Sequence, residues 1–180
     1  GGGRGLGVVN VFALLYSPEV LLLDEATYGP MYAVLVIFSV PMPLIAGWLS
    51  DRYGRKPLII GPYIGGAISF GVFLLAGSNL ALLWVAIVLM GLFTFAESPQ
   101  LQSLLSDIAP PSIRDASYAV YFTMAFGVGS VWVIVYGQLI DSFGAEVGLA
   151  LVFGLMAVSF VVAALGTLPI RADERARANA

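Results

Sequence analysis

Apolar residues run along this chain in long unbroken stretches. No Asp, Glu, Lys or Arg occurs in residues 26–50, 57–96, 116–140 or 147–170. A bilayer-spanning helix needs about 20 mostly apolar residues, so each stretch is long enough to cross. The stretch 57–96 contains the turn signal Gly77-Ser78-Asn79 and divides in two. A shorter apolar run, interrupted by Glu19, precedes Asp24. The pattern therefore predicts six spans near 5–23, 28–49, 57–76, 80–105, 116–140 and 147–169. Membrane β-strands would alternate apolar and polar positions, and these stretches are apolar throughout. No small-residue cleavage site marks the first run as a signal peptide.

Composition agrees. The chain is 59% hydrophobic and 11% charged, whereas a soluble domain is about a quarter charged. With no cysteine and no histidine, disulfides, thiolate chemistry, the usual zinc sites and histidine-based triads are excluded. Ala67-x-Ser69-x-Gly71 is one residue short of a nucleophile elbow, but without a histidine base it reads as packing. Neither an enzyme nor a cofactor or metal site is implied. The net charge of −3 comes with no basic face that could follow a nucleic-acid backbone.

The basic residues then set a topology. With loops taken alternately, Arg4, then Arg52, Arg55 and Lys56, then Arg114, then Arg171, Arg175 and Arg177 fall on one side. Asp24, Glu25, Asp141 and Glu146 fall on the other. The positive-inside rule makes both termini cytoplasmic. Gly47-x-Leu49-x-Asp51-x-Tyr53-Gly54 also returns 90 positions later as Gly137-x-Leu139-x-Asp141-x-Phe143-Gly144. The second copy lacks the basic residues of the first. Three spans separate the copies, so they face opposite sides, as two inverted three-helix repeats would (about 5–76 and 80–169). Residues 1–170 form the bundle on this reading, and 171–180 a cytoplasmic tail.

Each fixed type in the first copy has a physical task. Gly47 lets a neighbouring helix come close, Asp51 can pair with a guanidinium, and Gly54 allows a turn with positive φ. Arg55 and Lys56 can anchor the loop among headgroups, and Pro57 suits the first turn of the next helix. The string resembles the loop signature between the second and third helices of each half of the major facilitator superfamily. Asp107-x-x-Pro110-x-x-x-Arg114 is similar to that family's loop between the fourth and fifth helices of a half. The resemblance implies an all-α membrane fold of six helices, half of a transporter, with Gly47, Asp51, Arg52, Gly54, Arg55, Lys56 and Arg114 as its gating loops. Span four lacks the arginine, and span five the proline, typical of a first half; the chain reads as the second. It begins at Gly1 rather than Met, consistent with a fragment.

A carboxylate at mid-membrane costs about 2.5–3.5 kcal/mol on insertion scales, and Glu97 is the acidic residue deepest in a span. Thr94 and Gln100 sit one turn to either side, with Pro99 loosening the backbone. These three, with Asn10 in span one, are the candidates for binding solute or a proton; a protonated Glu97 satisfied inside the bundle is the structural alternative. The resemblance implies that spans one and four line the cavity and that three and six face lipid. Gly61-x-x-x-Gly65 should allow close packing, and Pro41 and Pro43 should bend span two.

The expected protein is the C-terminal half of a secondary active transporter in a plasma or inner membrane. Its expected partners are lipid, a small solute and either an N-terminal half or a second copy of itself. Proton coupling through Glu97 follows as a hypothesis. A half-size homodimeric transporter and a non-transporting membrane scaffold stay open.

Overall fold

A computed structural model describes residues 6–94 and 96–170. Among these the chain is all helical: α1 Leu6–Glu19, α2 Glu25–Ser39, α3 Met42–Tyr53, α4 Pro57–Ala76, α5 Leu80–Phe93, α6 Ser98–Ile108, α7 Arg114–Phe122 and α8 Gly129–Thr167. Four segments are long and apolar enough to cross a bilayer: Glu25–Tyr53, Pro57–Ala76, Leu80–Ile108 and Pro111–Thr167. At 14 residues, α1 falls short of that length; Pro18 lies in its last turn, and Leu22 beyond it takes a positive φ of 53°.

The interruptions within the long segments have local causes. Pro41 and Pro43 remove two N–H donors between α2 and α3. Backbone angles there stay helical, at φ −68° for Val40 and −77° for Pro41, so the helix is interrupted without a reversal. Asn79 starts α5 by accepting from the backbone N–H of Ala81 (3.1 Å) and Leu82 (3.2 Å).

The segment Pro111–Thr167 would extend about 85 Å as one straight helix, far more than a bilayer. It does not run straight. Gly144 has φ 78° and ψ 168° inside α8. Beyond it the backbone of Gly148 lies so near Ile140 that an added Cβ would meet Ile140 Cα at 2.5 Å. Eight residues along a straight helix are about 12 Å apart, so α8 folds into two legs at Gly144. Gly54, the matching glycine of the first motif copy, has φ 91° and ψ 157°. Both motif glycines thus hold the same left-sided conformation, which a side chain would resist.

The core is a seam of rings on α4 and the second leg of α8. Phe70 and Phe73 pack against Phe153 with centroids 5.8 and 4.9 Å apart, and Phe160 meets Tyr63 (5.8 Å) and Phe70 (5.6 Å). Close approach on α4 occurs at Gly65, against the Phe93 ring, and at Gly66, against the Phe160 ring. Among the described residues a Cβ on Gly61 meets nothing within 4 Å; of the expected pair only Gly65 makes a close contact, with a ring one turn further on. Large apolar side chains such as Leu44 and Leu75 point outward, 77% and 85% exposed. An apolar exterior of this kind matches hydrocarbon as solvent, and the chain is an integral membrane protein.

Candidate functional site

The two ends of the bundle differ in charge. Arg55 Nε donates to Asp107 Oδ2 at 2.5 Å, and Lys56 Nζ to the carbonyl of Leu168 at 2.5 Å. These contacts bring the α3–α4 loop, the end of α6 and the end of α8 together. Tyr16, near the other end of α1, lies in electrostatic range of Glu146, just past the turn of α8. Among the described residues the four basic ones, Arg52, Arg55, Lys56 and Arg114, belong to the loops of the first end. Arg4 and the tail arginines lie outside the described residues.

At that basic end, Arg55 is the hub. Besides Asp107 it approaches Asp51 Oδ1 at 3.6 Å, one helical turn back, and the hydroxyl of buried Ser50 at 3.4 Å. The Asp51 side chain is 74% exposed, and Asp107 is 46% exposed. Pairs this wet contribute about 0–1 kcal/mol to stability, so the contact matters as a geometric tie between two spans. Lys56 places a cation at the carboxyl end of α8, where the helix dipole favours it. Arg52 lies over the Trp48 ring, 5.5 Å from its centroid. Arg55 and Lys56 were expected to reach for headgroups; here both are engaged within the protein. Gly54 makes the expected turn. The expected close neighbour of Gly47 is absent among the described residues, since a Cβ there would meet nothing within 4 Å. Arg114 begins α7, partly buried, and is joined to neither Asp51 nor Asp107 by an ion pair among the described residues. Asp107 joined the sequence pattern only as part of a loop; its pairing with Arg55 spans 52 positions and leaves no local signature.

The second candidate lies where span four breaks. α5 ends at Phe93 and α6 begins at Ser98, with Glu97 as the residue before the first helical turn (φ −82°, ψ −23°). Pro99 has no N–H to offer the ladder. Glu97 is 8% exposed, and Thr94 and Gln100 are 1% exposed each. Side chains at the break bond back to their own segments: Thr94 Oγ1 donates to Met90 O at 2.5 Å, which also accepts the Thr94 backbone N–H at 3.0 Å, and Gln100 Nε2 donates to Ala96 O at 3.0 Å. The three candidates are therefore brought to one break and buried, with Thr94 and Gln100 turned back on their own backbone. Asn10 is on α1, but its side chain lies outside the described residues.

Opposite the break stands span five. Tyr121 lies in electrostatic range of Glu97 and Tyr118. Tyr118 donates its hydroxyl to the Gln102 carbonyl at 2.8 Å. One residue beyond Phe122 the helix widens to a π-helical segment, Thr123–Val128, an irregularity that often accompanies functional sites. Sequence reading missed Tyr118 and Tyr121. Their only signal was tyrosines inside an apolar run.

The sequence matches the Major Facilitator Superfamily over residues 5–180. The chain belongs to this family. Among curated relatives, it is 31% identical over 153 residues to a 4-hydroxybenzoate transporter of Pseudomonas aeruginosa, covering 82% of this chain and 32% of that protein. It is 28% identical over 120 residues to a Na(+), Li(+), K(+)/H(+) antiporter of Planococcus maritimus, covering 64% of this chain and 28% of the relative. A class H tetracycline resistance protein of Pasteurella multocida is 29% identical, over 66% of this chain and 29% of its own length. The chain thus spans about a third or less of these family members. No solved structure matches it.

Proposed function

We propose that this chain is the C-terminal, six-span half of a secondary active transporter for a small solute, operating by alternating access. Two inverted three-helix repeats are the architecture we assign to it. The shared conformation of Gly54 and Gly144 and the two legs of α8 support that count. On this reading α1 is the first span, the basic end is cytoplasmic, and the open space beside Gly47 receives a helix of the absent half. The loop Gly47–Lys56, with Asp51, Arg52, Gly54, Arg55 and with Arg114 of the four–five loop, forms the gate. Its closed state keeps the Arg55–Asp107 tie, and opening releases it.

The observation that carries solute or proton binding is Glu97, a carboxyl 8% exposed at a break in a membrane helix. Irregular backbone at such depth is tolerated where it is buried in protein or lines a cavity, and intramembrane carboxyls mark ion and proton paths. Relatives named for cation/proton exchange and for aromatic acids fit a proton-coupled carrier. The test uses the complete transporter with a solute found by ligand-dependent thermal stabilisation. Glu97→Gln should abolish the pH dependence of uptake and lower its rate at least tenfold. An unchanged rate with an unchanged pH profile refutes the assignment.

A further inference from the structure

Gln100 turns its amide back along its own segment: Nε2 donates to the Ala96 carbonyl at 3.0 Å, and both residues are buried. That carbonyl shares one planar peptide unit with the Glu97 N–H, so holding the oxygen fixes the plane from which Glu97 departs. The following peptide is held by backbone, with the Leu101 N–H donating to the Glu97 carbonyl at 3.0 Å. We propose that Gln100 is a positioning residue for the Glu97 carboxyl and not a ligand of the solute. Its amide pins the Ala96–Glu97 peptide and so sets where the carboxyl points and how readily it exchanges its proton. This rests on the reading of Glu97 as a proton-exchanging group and names what holds it in place.

The break makes such a pin necessary. Pro99 has no N–H, and Glu97 stands before the first helical turn of α6, so a regular ladder does not fix the peptides ahead of it. The amide of Gln100 also has little freedom to serve a solute. A ligand that recruited the bonded N–H would leave the buried Ala96 carbonyl unpaired, at about 1–3 kcal/mol. Thr94 differs in what it holds: its hydroxyl donates to Met90 O, a carbonyl of α5, and so pins neither peptide of Glu97. Other groups that could bear on the carboxyl are distant or constant. Asp107 lies about 15 Å further along α6 at helical rise. Asp51, Arg52, Tyr53, Arg55 and Lys56 are at that same basic end, as are Arg114 and Asp115 at the start of α7. α5 carries no titratable side chain, Tyr63 of α4 packs against Phe160, and Tyr118 donates to the Gln102 carbonyl. Tyr121 lies in electrostatic range of Glu97 and is left in place throughout the test, so it produces no difference between variants.

The probe is dicyclohexylcarbodiimide, which attacks protonated carboxyls in apolar surroundings, applied to the complete transporter across a pH range. Labelling at Glu97 is read by peptide mass spectrometry, with Glu97→Gln as the blank. Gln100→Met keeps the length of the side chain and removes its donors; the half-labelling pH should move by about half a unit or more. Thr94→Val, which removes a hydrogen bond on the other side of the break, should leave the profile in place. Uptake by the same variants separates the two roles for Gln100. A positioning residue leaves KM within about twofold and moves the pH dependence of kcat with the labelling profile, whereas a solute ligand raises KM about tenfold or more with the labelling profile unmoved. Melting temperatures accompany each variant, and if Gln100→Met does not survive purification, Gln100→Leu in native membrane vesicles carries the test. A Gln100 variant that labels as the parent does, a Thr94→Val displacement as large as that of Gln100→Met, or a parent Glu97 that takes no label at any pH overturns the proposal. Uptake by Glu97→Gln is a separate readout: an unchanged rate removes the transport role of Glu97 while leaving the hold of Gln100 on its carboxyl intact.

Discussion

Substituting Gly148 with alanine tests whether α8 folds back at Gly144. In a straight helix nothing would lie near this glycine, and alanine would add about 0.5–1 kcal/mol by removing a flexible residue from a helix interior. In the folded-back arrangement the new methyl would sit 2.5 Å from Ile140 Cα, 2.9 Å from Leu139 O and 3.0 Å from Ile140 N. All three are backbone atoms and none can swing aside. Carbon atoms reach their best separation at about 3.5–4.0 Å, so the legs must part by about 1 Å. Overpacking of this kind costs about 1–3 kcal/mol, which outweighs the propensity gain and leaves a net loss of roughly 0.5–2 kcal/mol. For a chain of this size each kcal/mol moves the melting temperature by about 2–4 °C. Gly154→Ala supplies the internal control, since among the described residues nothing lies within 4 Å of a Cβ there. Thermal unfolding in detergent should show Gly148→Ala melting several degrees lower and Gly154→Ala at or above the parent. A Gly148→Ala variant that melts as high as Gly154→Ala refutes the reversal, and with it the six-crossing reading.

Other substitutions address the ends of the bundle. Asp107→Asn should cut uptake severalfold while changing stability by less than about 1 kcal/mol, because the exposed pair contributes little to folding; a melting temperature that falls with uptake in proportion would make the pair merely structural. Asn79→Ala removes the cap of α5 and should cost about 1 kcal/mol, seen as a lower melting temperature with unchanged uptake in the surviving folded fraction. The chain contains no cysteine, so single cysteines at exposed Tyr53 and Ser142 report sidedness against a clean background. An impermeant maleimide added outside intact cells should tag Ser142→Cys and spare Tyr53→Cys; the opposite pattern overturns the orientation.

The four long apolar segments were legible because hydrocarbon accepts few charges, so uncharged stretches mark helices almost without regard to packing. Turns were legible where glycine stood alone: Gly54 and Gly144 take positive φ as their shared motif requires. Packing was not. Gly61 and Gly65 are alike in sequence, yet only Gly65 carries a neighbouring ring, because the choice depends on where Phe93 arrives from another helix. The break ahead of Ser98 was announced by Pro99, but its depth was not. Gln100 restores a hydrogen bond to Ala96, and such a repair has no pattern in an apolar run.

Arg55 illustrates why the site was only half readable. Its contact with Asp51 follows from helical spacing, since residues four apart share a face, and the sequence supplies that pairing unaided. Its stronger contact is with Asp107, 52 positions away, and it exists only when the ends of α3 and α6 meet. A guanidinium offers five N–H donors in a fixed fork, so one arginine can hold both carboxylates while the spans stay together. When the ends of α3 and α6 separate, the Asp51 contact can persist because both partners ride on one segment, whereas the Asp107 contact cannot. Under the proposed gating the two carboxylates are therefore unequal in kind: Asp51 would keep Arg55 oriented in every state, and Asp107 would sense whether the bundle end is closed. Asp51→Asn should accordingly weaken both states alike and leave the balance between them in place, while Asp107→Asn should shift that balance toward the open end. Accessibility of a Ser50→Cys thiol, 2% exposed at residue 50 beneath the clamp, distinguishes them: its labelling rate should rise in Asp107→Asn and stay near the parent in Asp51→Asn. Equal rates in the two variants would remove the distinction.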